Sequence, residues 1–173
     1  GRNGRALPGV QACGAQPSRT SAYANVPPMH DLVLFLHSWV RWAAIITGVL
    51  ATISVLGVHA DARNNRWAKF FTISLDIQFL LGLILVATTV NFGQMGEVMK
   101  DSTARFYAVE HPTMMIVAIA LAHMGRVFVR KALTPASART KSLIFFGVAT
   151  LLLLAGTPWP GMRDNRALFN FSL

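Results

Sequence analysis

The stretch Trp67–Val90, WAKFFTISLDIQFLLGLILVATTV, holds one base (Lys69) and one acid (Asp76) in a run that is otherwise uncharged and mostly apolar. A helix of about 20 such residues crosses a hydrocarbon core of ~30 Å. Three more runs of the same kind follow from the sequence: Leu32–His59, Phe106–Val129 and Ser142–Thr157. The fourth is short for a span unless it extends into Pro158-Trp159. A soluble helix needs one apolar stripe, and these runs carry far more. The composition agrees, with 53% hydrophobic and 13% charged residues, where a soluble domain has about a quarter charged. The expected fold is all-α: a four-helix transmembrane bundle over residues 29–173, preceded by an irregular extension over residues 1–28.

A net charge of +9 raises the question of nucleic acid, and the placement of the charges answers it. Arg63, Arg66 and Lys69 lie between the first two runs or open the second. Arg130, Lys131, Arg139 and Lys141 lie between the third and fourth. Both loops fall on one side of a four-span bundle, and the positive-inside rule makes that side cytoplasmic. Both termini are then expected on the periplasmic side. Lys100, Arg105, Arg163 and Arg166 share that outer side with Glu97, Asp101 and Asp164. The basic loops also suit anionic lipid head groups. No nucleic-acid-reading motif is present.

Residues 1–28 are rich in Gly, Pro, Ser, Ala and Arg without apolar period, a composition that does not fold alone. Such a tail becomes ordered only against a partner surface. The sequence opens on Gly1, and Met29 stands where a start for the membrane part is expected. The single cysteine, Cys13, rules out an internal disulfide and a cysteine metal motif.

Trp39 and Trp42 early in the first run, Trp67 at the head of the second and Trp159 after the fourth match interfacial aromatic belts. Pro112 removes a backbone donor, so a kink or a late helix start is expected near His111. Asp101 or Ser102 is placed to cap the third helix, after a polar outer loop over Gly93–Arg105. Pro158-Trp159-Pro160 stops the fourth, and Leu168–Phe171 is apolar enough to lie on the membrane surface. Gly48, Gly57, Gly82, Ala118, Ala122 and Gly147 offer small surfaces for close helix approach.

Arg41, Asp76, Glu110 and Arg126 fall inside the runs. Each costs about 2.5–3.5 kcal/mol at mid-bilayer if unpaired. At ~1.5 Å rise per residue, Arg41 and Glu110 share the outer half, while Asp76 and Arg126 share the inner half. Contacts are therefore expected between the first and third spans outside, and between the second and third inside. Such pairs need do no more than specify packing; a proton path is the alternative.

His37 and His111 lie on different spans at similar depth near the outer end. Two imidazoles on separate helices can ligate a b-type haem from within a bundle. His37 and Arg41 share a helix face, and a histidine held by Glu110 or by a backbone carbonyl explains the pattern equally. A pigment or quinone contact is a further option. His123 lies deeper, His59 at the inner surface and His30 outside the span. The phosphate loop, the HExxH motif and the nucleophile elbow are absent. Met95, Met99, Met114, Met115 and Met124 read as packing residues rather than as a copper site.

Five strings taken together carry a resemblance: Leu36-His37-Ser38-Trp39-Val40-Arg41-Trp42; Leu75-Asp76-Ile77-Gln78-Phe79-Leu80-Leu81-Gly82; Phe106-Tyr107-Ala108-Val109-Glu110-His111-Pro112; Leu121-Ala122-His123-Met124-Gly125-Arg126; and Pro158-Trp159-Pro160. Over Met29–Phe169 the chain resembles a family of small four-helix bacterial membrane proteins, loosely labelled cytochrome b-like. The resemblance brings no activity with it. It implies that His37, Arg41, Asp76, Glu110, His111, His123 and Arg126 act as one polar interior set, and that the membrane is the inner membrane of a bacterium.

The expected role is a non-catalytic accessory subunit of a larger energy-transducing complex, photosynthetic or respiratory. Its partners would be the lipid bilayer, other membrane subunits, and pigments or quinone. The alternatives are a b-type cytochrome using His37 and His111, and a small transporter or proton channel using Asp76, His123 and Arg126.

Overall fold

A computed structural model describes residues 28–57 and 60–160. Residues 1–27, with Cys13, lie outside that range, as do His59, Arg163, Asp164, Arg166 and Leu168–Phe171. The elements in order are α1 (Pro28–Ile53), α2 (Arg66–Thr89), α3 (Met95–Lys100), α4 (Ser102–Arg105), α5 (His111–Arg130) and α6 (Pro135–Gly156). A π-helical turn, Phe106–Glu110, joins α4 to α5, and short 3-10 turns flank α2 on both sides. No strand occurs among the described residues. Four helical stretches are long and apolar enough to cross a membrane: Met29–Leu56, Ala62–Thr89, Ser102–Arg130 and Pro135–Gly156. The protein is an all-α, multi-pass membrane bundle.

The fourth helix reaches full span length by beginning earlier than its apolar run, not by continuing into Pro158. Thr134 caps it by accepting the Ser137 N–H at 3.2 Å, and Pro135 follows at a position where its missing N–H costs nothing. At the other end Trp159 folds back, its indole N–H donating to Leu154 O at 2.9 Å. The Trp159 ring packs 6.5 Å from that of Trp42. Asp101 caps α4 through the Ala104 N–H, as the sequence led one to expect.

Pro112 has a larger consequence than a kink. It has no N–H to offer the carbonyl four residues back, and the backbone answers with a wider turn in which the His111 N–H bonds Phe106 O. Such π turns insert an extra residue per turn. Residues five apart, set well round the cylinder of an α-helix, come closer to one face, and Arg105 Nε reaches Glu110 Oε1 at 2.9 Å.

The four long helices form a closed ring in which each packs against its chain neighbour and α6 returns to α1. The α1–α2 and α5–α6 hairpins are the tightly packed pairs, and the α2–α5 seam is the loosest. Alanines make close approach feasible: Ala44, Ala51, Ala118, Ala122 and Ala149 are fully buried. Across one diagonal Phe71 and Phe146 meet at 6.4 Å. Across the other, His37 faces His111.

The ends that carry the basic loops are tied by those loops. Arg63 Nη2 donates to Ala132 O at 2.8 Å, and Arg139 Nη2 donates to Leu56 O. Asn65 caps α2 and gives its own amide N–H to Ala51 O at 2.8 Å. Cations on carbonyls just beyond the C-terminal ends of α1 and α5 satisfy orphan acceptors and oppose the negative pole of each helix. Two of the basic residues read as topology signals are therefore also fasteners.

Candidate functional site

Two polar centres result, one at each half of the bundle. The first sits at the end opposite the basic loops. His37 on α1 and His111 at the start of α5 approach across the diagonal, their ring centroids 6.3 Å apart and their planes at 67°. His111 Nδ1 lies 2.7 Å from Gly156 O. A carbonyl only accepts, so Nδ1 carries a proton. His37 is held differently. Its backbone carbonyl accepts from Gln78 Nε2 at 2.9 Å, while its own Nδ1 is buried without a hydrogen-bond partner. Gly82 lets α2 pass close to this ring: a Cβ there would stand 3.3 Å from His37 Cε1.

Arg41, one turn beyond His37, places its guanidinium 5.6 Å from the centre of the Trp42 ring. Glu110 receives Arg105, which the sequence places in the outer loop. Beside this cluster opens a cavity of about 580 Å³ walled by residues that include Phe106, Glu110, Met114, Thr157 and Trp159. Neither histidine is among its walls.

A b-type haem would be held by this pair of imidazoles. Two metal–nitrogen bonds of about 2 Å, plus the ring radii, would put the centroids of two imidazoles on one metal roughly 6 Å apart. The observed spacing meets that condition. A ligating histidine that donates its other N–H to a backbone carbonyl is the usual supporting arrangement, and His111 has it. His37 and His111 are thus the residues that would hold the group, although the cavity beside them is lined by neither ring.

The second centre lies on the α2–α5 seam. His123 Nε2 stands 2.8 Å from Asp76 Oδ1, and Arg126 Nη1 donates to the Thr72 hydroxyl at 3.1 Å. Asp76 thus takes His123 where Arg126 was expected. One turn of helix decides it, because His123 and Arg126 are three apart on one face. The larger surprise is exposure. The Asp76 and His123 side chains are 50% and 48% exposed, so the pair opens on the outer side of the seam and not into the bundle interior. Asp76 is the eleventh residue of α2, some 15 Å from the helix start at ~1.5 Å per residue, well inside the hydrocarbon. Ile77, Leu80 and Val127 around it are exposed and apolar.

Gln78, Thr72 and Arg105 are working members of these centres that sequence reasoning passed over. Gln78 had the clearest signal, as a full amide in the middle of an apolar run. Among the described residues no group of three His, Cys, Asp or Glu side chains is arranged to hold a metal ion. No protein-family model, no curated protein and no solved structure matches this chain.

Proposed function

We propose that the protein is a non-catalytic integral-membrane subunit that docks, through its α2–α5 face, onto a larger energy-transducing complex. The observation that carries this reading is the half-open Asp76–His123 pair at membrane depth. Hydrocarbon cannot satisfy the remaining polar atoms of such a pair, and intramembrane ionisable groups ordinarily face a bundle interior or a water-filled cavity. A helix of a neighbouring subunit laid along the seam would supply that interior. The assignment to a photosynthetic or respiratory assembly in a bacterial inner membrane, with the basic loops cytoplasmic, rests on the resemblance of the motif set and on the positive-inside rule.

A b-type haem between His37 and His111 is the second reading, carried by the 6.3 Å spacing and the His111–Gly156 bond. A bound haem would supply one-electron transfer, and the chain's own part would be to present two imidazoles and keep water out.

One preparation separates the two. The protein is purified from its native membranes in mild detergent, its ratio to co-purifying subunits is measured, and the haem content is read from the absorption spectrum. A fixed ratio to a larger complex, with no haem assigned to this chain, is the expected result. A chain that runs alone and carries close to one haem, lost in His37→Ala, overturns the docking reading in favour of the cytochrome.

A further inference from the structure

We infer that the α2–α5 seam binds the head group of an anionic phospholipid at its basic-loop end. A pocket of about 230 Å³ opens there, lined by His123, Arg126, Val127 and Arg130. These residues are spaced three and four apart over the last two turns of α5, so they form one stripe on one helix face. No acid lines the pocket. Asp76, the carboxylate in contact with a pocket residue, has His123 on it. Arg126 spends one N–H on Thr72, and a guanidinium has five to offer. Arg130, the last residue of α5, is exposed.

Depth fits the head group. The third span, Ser102–Arg130, runs 29 residues, roughly 43 Å of helix against a ~30 Å core. Its ends therefore stand in the interfacial layers. Arg130 reaches the phosphate level, and Arg126, one turn below, reaches it by extending its side chain outward. Lys69, exposed on the first turn of α2, adds a third cation at the same end.

Below the pocket the seam turns apolar. Ile73 on α2 and Val127 on α5 are exposed and receive the start of the acyl chains at the basic-loop end, short of Leu80. The negative pole at the end of α5 opposes an anion, but it amounts to about half a charge against two full guanidinium charges. It is further offset by the positive pole at the start of α2. Guanidiniums also match phosphate oxygens two at a time.

This inference does not depend on the docking reading, because the purified full chain alone suffices to test it. Phosphatidylglycerol or phosphatidylcholine is titrated onto the protein in detergent, and the bound lipid is counted by native mass spectrometry. With two cations at the surface contributing about 1 kcal/mol each, phosphatidylglycerol should bind roughly thirtyfold more tightly. Arg130→Gln, which leaves the Arg126–Thr72 bond in place, should cut that preference roughly fivefold, and Arg130→Lys should restore part of it. Lys100→Gln, at the opposite end, should leave it unchanged. Equal binding of the two lipids, an unchanged preference in Arg130→Gln, or displacement of the lipid by millimolar inorganic phosphate alone would each overturn the assignment.

Discussion

His123→Leu is expected to destabilise the bundle by about 2.5–3.5 kcal/mol, while Asp76→Leu/His123→Leu stays within about 1 kcal/mol of wild type. The single change leaves a carboxylate facing hydrocarbon without its partner. The double change removes both polar groups and leaves a leucine pair among Ile77, Leu80 and Val127, which are already apolar and exposed. A surface ion pair in water would make neither change visible, since exposed pairs contribute little there. The contrast therefore reports on the medium as well as on the bond. Unfolding of the full chain by a denaturing detergent, titrated into micelles of a mild one, measures all four corners of the cycle. A single variant as stable as wild type would mean that the seam is wet. A double variant as damaged as the single would mean that Asp76 and His123 hold something other than each other.

Gly125→Ala should lower stability by about 1–3 kcal/mol, and Gly125→Leu should prevent assembly of the α5–α6 hairpin. A Cβ at position 125 would lie 2.6 Å from Phe145 Cβ. That atom sits next to the backbone, so only separation of the two helices relieves the clash. Gly48 is tight as well, but its neighbours, at 2.7 and 2.8 Å, are the Thr150 hydroxyl and the edge of the Phe71 ring, which are side-chain ends better able to shift. Gly147→Ala serves as the control: its nearest atom is Thr52 Cγ2 at 3.6 Å, an ordinary contact. The same detergent titration should place Gly147→Ala near wild type. Equal losses at 125 and 147 would trace the effect to glycine as such and not to close packing.

These two sites also show how far the sequence could be read. The spans are legible because a hydrocarbon solvent demands long apolar runs whatever the packing. The start of α6 is not, since Ala-Ser-Ala-Arg-Thr-Lys after Pro135 is too polar to register as membrane and belongs to an interfacial first turn. Gly125 escaped notice although it is tighter than Gly147, because a glycine's role depends on which helix face it occupies and what opposes it. Depth along the helices is recoverable from residue counts, which put Asp76 and Arg126 together in the inner half. Rotation about the helix axis was not recoverable, which is why the pair's outward-facing position could not be foreseen. The Arg105–Glu110 bond depends on a π turn that Pro112 induces, and a pattern read at 3.6 residues per turn excludes it. The histidine pair was legible in composition and depth, but its spacing and the Gly156 bond are products of the diagonal packing.

The docking face is tested most directly by photo-crosslinking in native membranes, with a benzophenone side chain placed at Leu80, beside Asp76 on α2, or at Leu151 on α6. Both positions are well exposed, so reach is equal and only the neighbour differs. The α2–α5 docking account predicts a discrete protein adduct of one mass from Leu80 and lipid adducts from Leu151. Lipid adducts alone from Leu80, in membranes where the protein is at its native level, would contradict it.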